Sequence, residues 1–327
     1  MQKDGSGVPA TSNAGTAIVE HAVPKMIAAH GDAGRWCWDE YFGGRIRNAN
    51  TRKTYLHAVR RFLQWCETQG IALQEITPGM VGQYFDRHPG STPTKKLHMS
   101  AIRGLLDVFV QRHLMILNPA LSVRTERYSV TEGKTPEITV EQSRQLFRSI
   151  ELRSAIDFRD RAIISMLVYT AARVGAIAKL RLVDLVDEGN HLMIRFREKG
   201  GKDRSIPARI SLREELDDYV EILPTNGSGK DTPVFRSAVG RTGVLTETPM
   251  SAIDICRMVK RRLIAAHLPT SASPHSFRSC TATDLLEQGV SLEDVQYLLG
   301  HSDSRVTRLY DRRQRKITRN IVERISV

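Results

Sequence analysis

Helical periodicity stops between about residues 122 and 137 and resumes on the far side. The stretch SVRTERYSVTEGKTPE carries no apolar stripe, and Gly133 and Pro136 interrupt any regular element entering it. It reads as a linker, so the chain must build two separate cores. A length of 327 residues suits two ordinary domains, and a hydrophobic share of 41% can fill both. The expected layout is a mobile tail rich in Gly, Ala and Ser over 1–34 with a short helix near Val23–Ala29, a helical module over 35–121, a basic linker over 122–138 and a second domain over 139–327.

In the first module, Asn50 or Thr51 is placed to cap a helix that buries Tyr55, Val59, Phe62, Leu63 and Cys66. Its other face carries Arg52, Lys53, His57, Arg60 and Arg61. Thr77-Pro78 opens a second helix, with Thr at the cap and Pro in the first turn. A third is expected after Thr94, burying Leu97, Ala101, Leu105, Val108 and Phe109, with Lys95, Lys96 and Arg103 off that stripe. In the second domain, Thr139 opens a helix and Asp160–Ala172 forms an apolar one. Residues 192–197 (LMIRFR) alternate as a strand, 198–203 form a turn with two glycines, and 204–207 return as its partner. Helices follow at about 211–222, 249–267, 275–288 and 291–299. The fold class is therefore mainly α with one small antiparallel hairpin sheet.

Charge narrows the partners. A formal net charge of +12 favours a polyanion, of which nucleic acid is the commonest. The basic helix faces (Arg52, Lys53, Arg60, Arg61, Lys95, Lys96, Arg103) and the hairpin residues Lys202 and Arg204 are candidates for phosphate contact, as are Arg124, Arg127 and Lys134 of the linker. Cys37, Cys66, Cys256 and Cys280 form no C-x-x-C pair, which argues against a disulfide framework or a zinc ribbon and fits a reduced, cytoplasmic setting. The N-terminus lacks the apolar core of a signal peptide, and no segment has the length and apolarity of a membrane span.

The chemistry concentrates between His275 and Tyr310. His275 and Arg278 lie one helical turn apart and share a face. Leu298-Leu-Gly-His301 ends a helix on a glycine that can turn the histidine inward, and Tyr310 follows between Arg308 and Arg312. Arg173, after the apolar helix, and Lys199, in the hairpin turn, complete a set suited to a phosphodiester. Arginine forks donate charge-assisted hydrogen bonds to phosphate oxygens. Tyrosine is an oxygen nucleophile that needs a proton acceptor, and the leaving oxygen needs an acid. Taken singly, His275, His301, Tyr310, Arg173 and Lys199 each have an ordinary structural reading. A zinc site through Cys280 is disfavoured by its spacing from His275.

Together these boxes resemble the tyrosine recombinases of the phage integrase family. The match runs through Thr170-Ala-Ala-Arg173, Lys199 in Glu-Lys-Gly-Gly, His275-Ser-Phe-Arg278, Leu298-Leu-Gly-His301 and Tyr310, and it extends over about residues 36–327. Ala171 stands where the family has glycine, and Ala176 where an acid is common. The resemblance implies a two-domain DNA clamp, with a helical core-binding domain and a mixed α/β catalytic domain. Tyr310 would attack a DNA phosphate to give a 3′-phosphotyrosyl link, and a 5′-hydroxyl would reseal it without cofactor or metal. Arg173 and Arg278 would clamp the phosphate, and Lys199, preferred to Lys202, would protonate the leaving oxygen. His275 would assist proton transfer, and His301 would hydrogen-bond the phosphate. Implied partners are a double-stranded recombination site, further copies of the chain in a tetrameric synapse and an accessory DNA-bending protein. Ile317, Ile321, Val322 and Ile325 offer an apolar stripe for a neighbouring copy. Two other readings use the same residues: a DNA-binding protein that no longer cuts, and a relaxing topoisomerase.

Overall fold

The computed structural model describes residues 23–127, 135–136, 138–189, 191–197, 203–223, 229, 231–240, 242–301 and 303–311. It divides into two compact units, Met1–Ser129 and Val130–Val327.

In the first unit, helix α1 spans Lys25–Ala28, and α2 spans Gly31–Asp39 and runs into a π-helical turn at Glu40–Arg45. The short helix expected near Val23–Ala29 is present as α1, and with Ile27 and Gly34 buried, residues 23–34 belong to the folded unit rather than to a mobile tail. The apolar side chains of this stretch outweigh its glycines. Helix α3 (Ala49–Thr68) is capped by Asn48, whose side-chain oxygen accepts from the N–H groups of Asn50 and Thr51. The cap falls ahead of the expected Asn50 because Asn48 is the extended residue and Asn50 is already helical. Helix α4 (Pro78–Asp86) starts as its Thr77-Pro78 pair predicts, with the Thr77 hydroxyl accepting from the Met80 N–H.

Helix α5 spans Thr92–Gln111 and begins earlier than expected, because Pro93 fits a first turn. That phase turns Leu97 outward and buries His98, Ile102, Leu105 and Phe109. Gly104 of α5 lets Tyr41 lie across the helix, since a Cβ there would meet the Tyr41 Oη at 2.5 Å. One polar pair is sealed into this core: His88 Nε2 lies 3.1 Å from His98 Nδ1. The Gly90 N–H donates to His88 Nδ1, so in neutral His88 the proton sits on Nε2 and is donated to His98.

The second unit opens with α6 (Val140–Arg148), closed at its start by a reciprocal capping box between Thr139 and Gln142. Helix α7 runs Ala155–Thr170 and ends at Ala171, which takes left-handed backbone with φ +48°. A short helix α8 (Val174–Ile177) follows Arg173. Strands β1 (Leu185–Asp187), β2 (Leu192–Arg197) and β3 (Asp203–Pro207) form an antiparallel sheet in that order. Leu192, Ile194 and Phe196 of β2 point into the core and Arg195 and Arg197 point out, the alternation expected of this strand. Lys199 and Lys202 lie outside the described residues.

Helix α9 (Ile210–Glu221) packs on α7. A second antiparallel pair, β4 (Arg236–Ala238) and β5 (Leu245–Pro249), was not legible in the sequence, nor was β1; all are too short or irregular to alternate clearly. Helices α10 (Ala252–Ala265), α11 (Pro274–Glu287), α12 (Leu292–Leu299) and α13 (Ser304–Arg308) complete the unit.

A fully buried carboxylate ties α7 to α10. Asp160 accepts from Arg159 through one oxygen, and from Arg261 and Arg262 through the other at 2.7 and 2.9 Å. The protein is thus mostly helical with two small antiparallel sheets. No helix among the described residues is long and apolar enough to cross a membrane.

Candidate active site

Helix α11 presents His275 and Arg278 on one face, as their spacing requires. Arg278 is almost wholly buried, and its guanidinium has committed partners. It donates to the carbonyls of Ala171 and Leu299, and its Nη2 lies 2.8 Å from His301 Nε2. The left-handed turn at Ala171 aims that carbonyl at the arginine. It also explains the glycine that the resemblance places at this position: a Cβ there costs roughly 1–2 kcal/mol.

His301 is delivered by the end of α12. Ser291 caps the start of that helix by accepting from the Asp294 N–H, and Gly300 ends it with φ +61°. The chain then turns so that His301 Nε2 meets Arg278 and Nδ1 meets the Thr307 hydroxyl at 3.0 Å. Thr307 was not among the sequence candidates. It is fully buried in α13, and its carbonyl accepts the Tyr310 N–H at 3.0 Å.

Tyr310 is buried in a small apolar cluster with Ala171, Ala282, Leu286, Val295 and Leu299. Its hydroxyl lies 3.4 Å from His275 Nε2, at the long end of hydrogen-bond reach, as is common before substrate tightens a site. Its ring lies nearly parallel to that of His301, with centroids 6.0 Å apart. The Tyr310 hydroxyl and His275 Nε2 are therefore brought together, although His275 lies on α11 and Tyr310 follows α13.

The electrostatics follow from burial beside arginines. His301 is pushed down to about 4, first by burial and then by the charges of Arg278, Arg173 and, more weakly, His275 and Arg204. His275 keeps a solvent-facing edge, yet partial burial, with Arg278 and Arg173, also lowers it. Both histidines are thus poised neutral near pH 7. Arg173 is exposed at the start of α8, close enough for its charge to be felt by both. An open cavity bordered by Asp203, Glu293, Tyr297 and His301 gives the site a solvent-facing side. Among the described residues, no group of three or more His, Cys, Asp or Glu is arranged to hold a metal ion.

Of the residues expected to meet phosphate, Lys53, Arg60 and Arg61 are exposed on α3, and Lys95 and Lys96 are half-buried on α5. Three others also make internal hydrogen bonds. Arg52 donates twice to the Ile46 carbonyl. Arg103 donates to the carbonyls of Ala120 and Val123. Arg204 is buried over the Phe196 ring and donates to the Leu298 carbonyl. Each serves the free carbonyls of a loop or a helix end, a demand that charge patterning does not reveal.

The model of the phage integrase family matches residues 136–316, more than half of the chain. The tyrosine recombinase XerD of Chlorobaculum tepidum is 26% identical over 284 residues, covering 84% of this chain and 89% of that protein. The tyrosine recombinase XerC of Chlamydia trachomatis is 28% identical over 232 residues, covering 71% of this chain and 70% of that protein. In fold, the chain is similar to the XerH site-specific recombinase in a post-cleavage complex with a palindromic difH substrate, with a TM-score of 0.66, 19% identity and 89% of each chain covered. It is also similar to a lambda integrase dimer bound to a COC′ core site, with a TM-score of 0.63, 23% identity and coverage of 88% of this chain and 78% of the other.

Proposed function

This chain belongs to the phage integrase family, and from that premise we propose that it is a tyrosine-type site-specific recombinase that cuts and rejoins duplex DNA. One observation carries the proposal: Tyr310, His275, Arg278 and His301, from helix α11 and the segments that follow α12 and α13, meet at one site through the contacts at 3.4 and 2.8 Å.

The steps balance without an external energy source. Tyr310 Oη bonds to phosphorus and passes its proton toward His275 Nε2. The bond from phosphorus to the 5′-oxygen breaks, and Lys199 supplies that oxygen with a proton. Charge building on the non-bridging oxygens meets the forks of Arg173 and Arg278; each preorganised donor is worth on the order of 3 kcal/mol. A 5′-hydroxyl then attacks the phosphotyrosyl link and restores the tyrosine.

The helical unit, over about residues 35–121, would bind the core of the site through Lys53, Arg60, Arg61, Lys95 and Lys96, and would close with the catalytic unit on one duplex as a clamp. The exposed cations of α3 support that part. Four copies in a synapse, assisted by a DNA-bending protein, complete the proposal; the basic and apolar segment after Asp311 lends it support by composition.

The test is a nicked suicide substrate taken from the flanks of the gene. Wild type should leave a covalent adduct on a denaturing gel, and Tyr310→Phe should bind the same DNA without one. Specific binding with no adduct from the wild type would remove the strand-cleavage reading.

A further inference from the structure

Resting on that reading of the site, we propose that Thr307 is a positioning residue that fixes which ring nitrogen His301 turns toward the reacting phosphate. Arg278 can only donate, so His301 Nε2, 2.8 Å from Arg278 Nη2, must be the accepting nitrogen and carries no proton. A neutral imidazole then holds its proton on Nδ1, and the atom 3.0 Å from Nδ1 is the Thr307 hydroxyl oxygen. Thr307 is fully buried, so no water can replace it as the acceptor. Remove that oxygen and an N–H is left facing apolar surroundings, which favours another ring orientation.

The threonine also reaches the nucleophile. Its carbonyl takes the N–H of Tyr310, so one residue sets the histidine through its side chain and the tyrosine through its backbone. The Nε2 lone pair steadies Arg278. When a phosphate oxygen takes that arginine, Nε2 is left facing the phosphate because Nδ1 stays tethered to Thr307, and it donates there once it binds a proton, which the anionic phosphate favours. An outer contact of this kind, orienting a working histidine, is worth about 10- to 100-fold by analogy with those behind metal-bound histidines.

The test compares full-length wild type, Thr307→Val and Thr307→Ser. Valine keeps the shape and removes the oxygen, while serine restores it. Nitrogen-15 NMR of labelled histidines, with His301 assigned through its loss in His301→Gln, should show a single Nδ1–H tautomer in wild type and in the serine variant. The valine variant should lose that signature and form adducts on the suicide substrate about tenfold or more slowly, with serine recovering most of the rate. An unchanged His301 signal in the valine variant would overturn the proposal, as would a serine variant as slow as valine, which would assign the effect to methyl packing. Absence of adduct from the wild type would count against strand cleavage alone, and the tautomer comparison would still decide the role of Thr307.

Discussion

At the scale of single residues, Ala171 sets two effects against each other. Its left-handed backbone costs roughly 1–2 kcal/mol, while its buried methyl contributes about 0.8 kcal/mol. The backbone term wins, so Ala171→Gly should raise stability by a few tenths to about 1 kcal/mol, read as a higher midpoint in urea. A lower midpoint would show that the methyl matters more than the turn. Arg278, His301 and Tyr310 were legible as chemistry because their residue types and order are unusual together. Thr307 was not, because a threonine three residues before a tyrosine looks like any helical threonine until His301 is folded against it. Arg52, Arg103 and Arg204 show the converse: sequence displays a charge but not the carbonyl it also bonds.

At the scale of elements, local signals translated well. Thr77-Pro78 and the Thr139 start mark helices through contacts made within a few residues, and the β2 alternation is built into the pleat. The start of α5 was misplaced because the Pro93 signal in its first turn went unread, and the short β4–β5 pair, which depends on packing from elsewhere, was missed. The joint between α7 and α10 is also invisible in sequence, because Asp160 and Arg261 are far apart along the chain. Asp160→Ala would leave the buried Arg159 without its carboxylate, while Arg262 would keep Asp157. The substitution should cost about 3–5 kcal/mol, measured by chemical denaturation. A loss below about 1 kcal/mol would mean that the arginines simply swing out to solvent.

At the scale of the whole molecule, pH and salt act on different parts. His98 is pushed down to about 4 by burial, with His88, His57 and Arg61 adding to it, against an ordinary value of 6.5. Between those limits the unfolded chain binds a proton that the folded chain refuses, so stability is full above about pH 6.5 and declines as pH falls toward 4. His301 acts in the same direction. Urea midpoints at pH 7 and pH 5 should differ accordingly, and equal midpoints would contradict the buried histidine pair. With a net charge of +12, DNA affinity should fall about 100-fold or more between 50 and 200 mM salt, with the same slope in Tyr310→Phe. A flat dependence would sink the phosphate-contact reading.

Arg278 binds carbonyls 107 and 21 residues distant in sequence, at Ala171 and Leu299, and so the side chain proposed to clamp the phosphate is also a rivet between distant segments. A gene copy drifting toward a repressor can lose the hydroxyl of Tyr310 and keep its shape. It cannot shed Arg278 as freely, because the walls of the site come apart with it. Inactive descendants of such a protein should therefore vary the tyrosine and retain the arginine, a fossil of catalysis preserved for mechanical reasons.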